Sequence, residues 1–414
     1  MSTRMRFTQT LLFRVIVAII LGIICSFFFP EWLARIFVTF NGLFGNFLGF
    51  FIPVLIFALI TPAIASLGRG AGKWLGITTA IAYGSTVFSG LLAYAATQGL
   101  YPWLLGADQA GASVDIDEGA LESFFNVEMP PPFDVMTALL LAFTVGVAMT
   151  TVKSDSLYRG ATQLRDVIMK IISAFIIPLL PIYIFGMFLS MGMNGNLTTT
   201  LSMFFKVLVL AVIGTVLLLA IQFSIAGAIA GRSPWQSLKN MLPAYATALG
   251  TSSSAATIPV TYKAALKNGV SEKVAGFTVP LCATIHLAGS MMKITLFAFA
   301  VMFMADKPVS PGMAIGFILT LGITMIAAPG VPGGAIMAAV GVLQSMLGFD
   351  QEQVALMIAS YIAIDSFGTA CNVTGDGAIA MIVNRFAKDD VIDRSEELSF
   401  DAEVANSASS TAEA

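Results

Sequence analysis

Two carboxylates, an amide and a hydroxyl stand out near the end of this chain: Asp365, Asp376, Asn372 and Thr369, in the otherwise apolar stretch YIAIDSFGTACNVTGDGAIAMIV. Read as a helix, steps of 4, 7 and 11 residues bring the later three to within roughly 40° of Asp365. Such a stretch is oily enough to cross a bilayer, where an ionisable group is costly unless it serves a site. Three chemistries suit the pair: helix packing, catalysis by carboxylates, and cation binding. Packing alone accounts poorly for two carboxylates on one stripe. An intramembrane aspartyl protease needs two Asp sharing a proton and a water, whereas eleven helical residues separate these two by about 16 Å of rise. Cation binding survives, with one site suited to a substrate ammonium and the other to a metal ion.

A second polar segment, TVPLCATIHLAGSMMKI, carries His286, the only histidine, with Gly289-Ser290 and Lys293. Gly-Ser offers a place for a helix to open and free carbonyl oxygens for an alkali cation. It also serves as a packing notch in ordinary membrane helices. His286 reads as a hydrogen-bonded interior residue ahead of a proton relay. Lys293, seven residues on, either snorkels or pairs with a carboxylate.

The elements that must position these groups follow from composition. The chain has 414 residues, of which 57% are hydrophobic and 11% charged, with a mean hydropathy of +0.87. Soluble domains carry about 25% charged residues, so this is a polytopic membrane protein. Its three cysteines, Cys25, Cys282 and Cys371, sit in apolar runs, which argues against a disulfide framework. The start, MSTRMR, is built like a signal peptide. Arg14 interrupts the following run and no A-x-A site follows, so it reads as an uncleaved first span. Apolar runs at about 10–29, 37–66, 73–98, 135–152, 166–193 and 201–230 are candidate spans. Segment 99–134 is acidic, Gly/Pro-rich and free of Lys and Arg, as an external loop would be. The tail 387–414 is acidic and Ser/Ala-rich, hence expected to be disordered.

Basic residues orient the spans. Arg4 and Arg6, Arg69 and Lys73, Lys153, Arg159 and Arg165, and Arg232 and Lys239 mark cytoplasmic segments. The stretch 240–262 lies between that last cluster and Lys263, Lys267 and Lys273. One crossing there would put like-signed clusters on opposite sides, whereas a re-entrant hairpin keeps both cytoplasmic. Its Gly-Thr-Ser-Ser-Ser tip, flanked by Pro243 and Pro259, fits backbone that lines a wet or protein-buried cavity. A second hairpin is expected over 310–347, with the tip Ala328 to Gly334 reading APGVPGG, which cannot continue a helix. Hairpin, helix, hairpin, helix is the order of an inverted repeat.

Three motifs in order carry a resemblance: Ser252-Ser253-Ser254-Ala255-Ala256-Thr257-Ile258-Pro259, Gly330-Val331-Pro332-Gly333, and Asn372-Val373-Thr374-Gly375-Asp376. With them the chain resembles the dicarboxylate/amino acid:cation symporter (glutamate-transporter) family over about 10–386, and within it the bacterial serine/threonine:sodium symporters. The resemblance implies that Asp365 holds the substrate's α-ammonium, that Asn372 binds substrate and supports a sodium site, and that Thr369 lines the same pocket. Ser252 and Ser254 would meet the substrate carboxylate from one hairpin, with Val331 and Gly333 at the tip of the other. For sodium it implies Asp376 and Asn372, the Thr284 hydroxyl, Cys282 and His286 beside the break, and carbonyls of Met325, Ile326 and Ala328.

Two departures sharpen the expectation. Relatives that carry acidic amino acids place an arginine three residues after the amine-binding aspartate, and here that position is Gly368. Lacking an Arg fork, the pocket is expected to take a small neutral amino acid such as serine or threonine. The family's Asn-Met-Asp-Gly-Thr break reads His286-Leu287-Ala288-Gly289-Ser290 here, which implies one sodium site fewer. The fold expected is therefore all-α and integral to the membrane, with eight transmembrane helices and two re-entrant helical hairpins. Its N-terminus, 1–9, is cytoplasmic; 10–230 holds six spans, with spans one, two, four and five as scaffold. Residues 231–386 form the transport core and 387–414 the cytoplasmic tail. The resemblance further implies a homotrimer in a bacterial inner membrane that moves as an elevator. Sodium is the coupling ion, with no organic cofactor and no nucleic-acid partner. A dicarboxylate symporter and a passive channel are the rival readings.

Overall fold

The computed structural model describes residues 11–69, 73–106, 121–152, 155–193, 197–328 and 332–387, and no strand occurs among them. The six apolar runs become α1 (Leu11–Ser26), α2 (Glu31–Arg69), α3 (Lys73–Tyr101), α4 (Val135–Thr151), the pair α5 (Ser156–Ile171) and α6 (Ile177–Met193), and α7 (Leu197–Ala230). A π-helical turn, Ile172–Ile176, joins α5 to α6, and another, Pro102–Gly106, ends α3. Glu31–Ser66, Lys73–Gly106, Ser156–Met193, Thr200–Ala230 and Glu272–Met304 are long and apolar enough to cross a membrane, while α1 and α4 are apolar but shorter. Asp134 caps α4 by accepting from Thr137 N, and the Thr137 hydroxyl and amide hold its carboxyl below the usual range. The segment before it is tied to α2, with Arg35 Nε donating to Glu122 O at 2.8 Å and Asn46 Nδ2 to Val127 O at 2.8 Å.

The second half of the chain follows a repeating plan. Each unit opens on Ser-Pro, Ser233-Pro234 before α8 (Pro234–Thr251) and Ser310-Pro311 before α12 (Pro311–Ile326). In both, the serine accepts a backbone N–H and proline takes the first helical position. The chain then doubles back. After α8 it turns at Ser252, with a left-handed φ of 48°, and Ser253 caps α9 (Ser254–Lys267). After α12 it turns through Gly333, φ 76°, into α13 (Gly334–Leu347). The arms of each hairpin pack on each other.

Each hairpin is followed by a broken helix. The first is α10 (Glu272–Ile285) and α11 (Ala288–Met304). The second is α14 (Gln351–Ala363) and α15 (Asp365–Ala387), bent by 62°. The spacing read from sequence runs one helix from Tyr361 through Asp376, whereas the structure breaks it at Ile364. The other break falls at His286-Leu287, within the His286 to Ser290 stretch that the family resemblance implies and just ahead of the Gly289-Ser290 pair. Residues 1–10, 107–120, 329–331 (with Val331) and the tail from 388 lie outside the described residues.

The core sits around α11 and α15, which are buried on nearly every face. α15 packs against α7, α8, α9, α10 and α11, and α11 against α3. α1 packs on α6, and α2 on α4, α5 and α6. The helices that carry the polar groups are thus also the most enclosed. Any charge there needs a built partner.

Candidate functional site

Asp365 is the first residue of α15, directly after the break, and is 7% exposed. Its Oδ2 accepts from Gly333 N, at the tip of the second hairpin, at 2.8 Å. Its other oxygen, Oδ1, lies 3.9 Å from Lys293 Nζ. Lys293 comes from α11 and is fully buried. Its ammonium donates to Ile364 O at 3.0 Å and to Asp365 O at 3.4 Å, and stands 4.1 Å from the centre of the Tyr361 ring. A cation there faces the carbonyl end of α14, an aromatic face and a carboxylate. Ile364 O, at the junction of α14 and α15, takes this ammonium as well as the backbone N–H groups of Phe367 and Gly368, at 3.1 and 3.4 Å.

Gly368 completes the arrangement. A Cβ at that position would run into Lys293 Cε and Nζ. The expectation that the pocket beside Gly368 lacks a cation is therefore corrected: the space there holds the Lys293 ammonium. Gly368→Ala should force this lysine from its place, with overpacking costing about 1–3 kcal/mol. Thermal unfolding of the purified variant checks this, and an unchanged midpoint would count against the contact.

One turn further, Asn372 holds the other break open. Its Oδ1 accepts from Gly289 N at 2.7 Å and Ser290 N at 3.3 Å, and its Nδ2 donates to Ser290 Oγ at 3.1 Å. In an unbroken helix those two N–H groups would bond to Ile285 O and His286 O. The side chain of α15 takes them, which releases those carbonyls from the ladder. They are hard, neutral oxygens of the kind alkali and alkaline-earth cations favour. Gly289 itself is a packing notch, since a Cβ there would come within 2.6 Å of both Cys371 Cβ and Gly368 O. Ser290 Oγ shares a hydrogen bond with Tyr361 OH at 2.9 Å, so Tyr361 joins the two breaks.

Asp376, 1% exposed, meets His286. Its Oδ1 is 2.9 Å from His286 Nδ1, His286 Nε2 is 3.1 Å from Ser85 Oγ, and Gln222 Nε2 donates to Ser85 Oγ at 2.9 Å. Donors and acceptors match when Nδ1 carries the histidine proton and Ser85 donates to Nε2. Four elements, α15, the break, α3 and α7, meet in this chain.

Other expected site residues are placed more loosely. Thr369 Oγ1 bonds back to Asp365 O at 3.1 Å. Thr284 is exposed and bonds back to Leu281 O at 2.7 Å, while Cys282 is buried and its carbonyl accepts from His286 N. Met325 and Ile326 end α12, and Ala328 N donates to Met325 O at 3.2 Å. α12 packs on α10. Ser252 and Ser254 flank the first hairpin's turn, on arms that pack against α15. No hydrogen bond joins either serine to α15 among the described residues. Sequence reasoning missed Ser85, Ser89, Gln222 and Tyr361. Ser89 Oγ donates to Ala288 O at 2.6 Å. The available signal was the helical spacing of Thr78, Ser85 and Ser89 along α3, where Thr78 and Ser89 are buried and Ser85 is half-buried.

Broken helices, paired hairpins and a polar core make this a multi-pass helical membrane protein with buried ionisable groups at its centre. The chain belongs to the sodium:dicarboxylate symporter family, whose sequence pattern matches residues 11–386. It is 33% identical over 168 residues to excitatory amino acid transporter 1 of Homo sapiens, a match covering 40% of this chain and 31% of that protein. Against excitatory amino acid transporter 3 of Bos taurus the identity is 35% over 158 residues, 38% of this chain and 30% of the relative. Each match thus spans under a third of the relative's length.

Proposed function

We propose that this chain is a sodium-coupled secondary active symporter that carries a small carboxylate-bearing solute by alternating access. The observation that carries the reading is the bond from Gly333 N to Asp365 Oδ2, which ties a hairpin tip to a buried carboxylate. A solute bound there would have to part these groups, so its passage is gated by the second hairpin. Sodium, as co-substrate, would be held by Asp376 and by the carbonyls of Ile285 and His286, next to Asn372. Asn372 Oδ1, already taking two backbone donors, keeps the break open for it. Thr284, Met325, Ile326 and Ala328 are candidates for a second ion site where α10 meets α12. Eight crossings follow if α1, α4 and the bent pair α14–α15 each span once beside the five long stretches. α1, α2, α4, α5 and α6 would then form the scaffold of a homotrimer, and the rest the moving part.

Two observations bear on the solute. Gly368, where acidic-substrate relatives carry arginine, favours a small neutral amino acid such as serine or threonine. The Lys293 ammonium in that space favours a solute whose carboxylates outnumber its ammonium groups. We take the second as decisive, because a charge that is present acts directly on the solute. Uptake by proteoliposomes tests the reading: labelled solute should enter when sodium is outside and fail to enter when potassium replaces it. Equal uptake in both media would refute sodium coupling.

A further inference from the structure

The charge balance at Asp365 has a consequence for which solutes can bind. A buried carboxylate in a symporter of amino acids waits for the ammonium of its substrate. Here one ammonium is already built in: Lys293 Nζ is 3.9 Å from Asp365 Oδ1, bonds to Ile364 O and Asp365 O, and is shielded completely from solvent. It arrives from α11, a different element, across the gap that only a glycine at 368 leaves open. Both Asp365 oxygens then have partners without any solute, Gly333 N on one and Lys293 on the other.

Resting on the symport reading above, we propose that Lys293 is the fixed counter-ion of Asp365, and that the site therefore prefers carboxylates without an ammonium group, such as hydroxy acids, over amino acids of the same shape. A substrate ammonium entering beside Lys293 would bring two like charges into a water-poor space with one carboxylate between them. A hydroxyl in the same position brings no charge and still donates to Asp365. Lys293 is thus a specificity-determining residue, and Gly368 its steric complement. The arrangement inverts the role the family resemblance assigned to Asp365, from holder of the substrate's amine to holder of an amine in the protein.

Two matched pairs isolate the effect, because each differs only in hydroxyl for ammonium: malate against aspartate, and glycerate against serine. Sodium-driven uptake into proteoliposomes should be faster for the hydroxy acid in at least one pair, by about tenfold, a difference equivalent to roughly 1.4 kcal/mol. Lys293→Met, close in length and uncharged, should reverse that preference, since the substrate's ammonium then supplies the missing counter-charge. Faster or equal uptake of the amino acid in both pairs by the unaltered protein would overturn the proposal, as would an unchanged ratio in an active Lys293→Met variant. Should that variant fail to fold, the unaltered protein's ratios decide. Thermal stabilisation of the solubilised protein by the same four compounds, with sodium present, separates the two readings. Stabilisation that favours the hydroxy acid without uptake of any compound would sink symport and leave the role of Lys293 standing. Stabilisation by none would overturn that role as well.

Discussion

Asp365→Asn is expected to destabilise the purified protein by about 3–5 kcal/mol, the usual cost of stripping one partner from a buried ion pair. The amide keeps the size of the carboxylate and still accepts from Gly333 N, so the change is one of charge. It leaves the Lys293 ammonium buried with two carbonyls and a ring face but no anion. Lys293→Met alone should cost a comparable amount by leaving Asp365 uncompensated. The double variant removes both charges and is expected to recover much of the loss, giving a coupling energy well above the roughly 0.5 kcal/mol within which independent sites add. Denaturation of the four proteins in one detergent measures it. Additive losses would mean that the two residues do not form a pair.

Asp376→Asn is expected to leave the fold nearly intact and to raise the sodium concentration for half-maximal uptake by about tenfold or more, equivalent to roughly 1.4 kcal/mol of ion binding. His286 Nδ1 can donate to an amide oxygen as it does to the carboxylate at 2.9 Å, so the chain to Ser85 and Gln222 survives. What is lost is anionic charge, on which a hard cation depends. A sodium dependence unchanged by the substitution would remove Asp376 from the ion site and leave it as the partner of His286 alone.

Much of the fold was legible because its causes are local. Apolar runs announce helices, and Gly, Pro and Ser clusters announce hairpin turns at Ser252 and before Gly334. The two breaks were harder to place for a physical reason. Leu287 and Ile364 are apolar and neither is Gly or Pro. Nothing near them in sequence forbids a helix. The first is held by Asn372, about eighty residues away, and the second lies against Lys293, 71 residues away. The polar face of α15 was readable from helical spacing alone. Its partners were not, because Lys293, Ser85 and Gln222 acquire meaning only when α11, α3 and α7 pack around it. Gly368 shows the difference most clearly: as a letter it suggests a vacant space, and in the structure it is the clearance a lysine needs.

The most direct test of sodium-coupled symport is the solute gradient at which net flux vanishes. Proteoliposomes are prepared with a tenfold inward sodium gradient, potassium and a suitable ionophore holding the membrane potential at zero, and labelled solute is set at graded inside-to-outside ratios. Coupling of one sodium ion predicts zero net flux when solute inside exceeds that outside about tenfold, and two ions about a hundredfold, since each tenfold ratio is worth roughly 1.4 kcal/mol. Flux that vanishes at equal concentrations, whatever the sodium gradient, would contradict the account and identify a passive pathway instead.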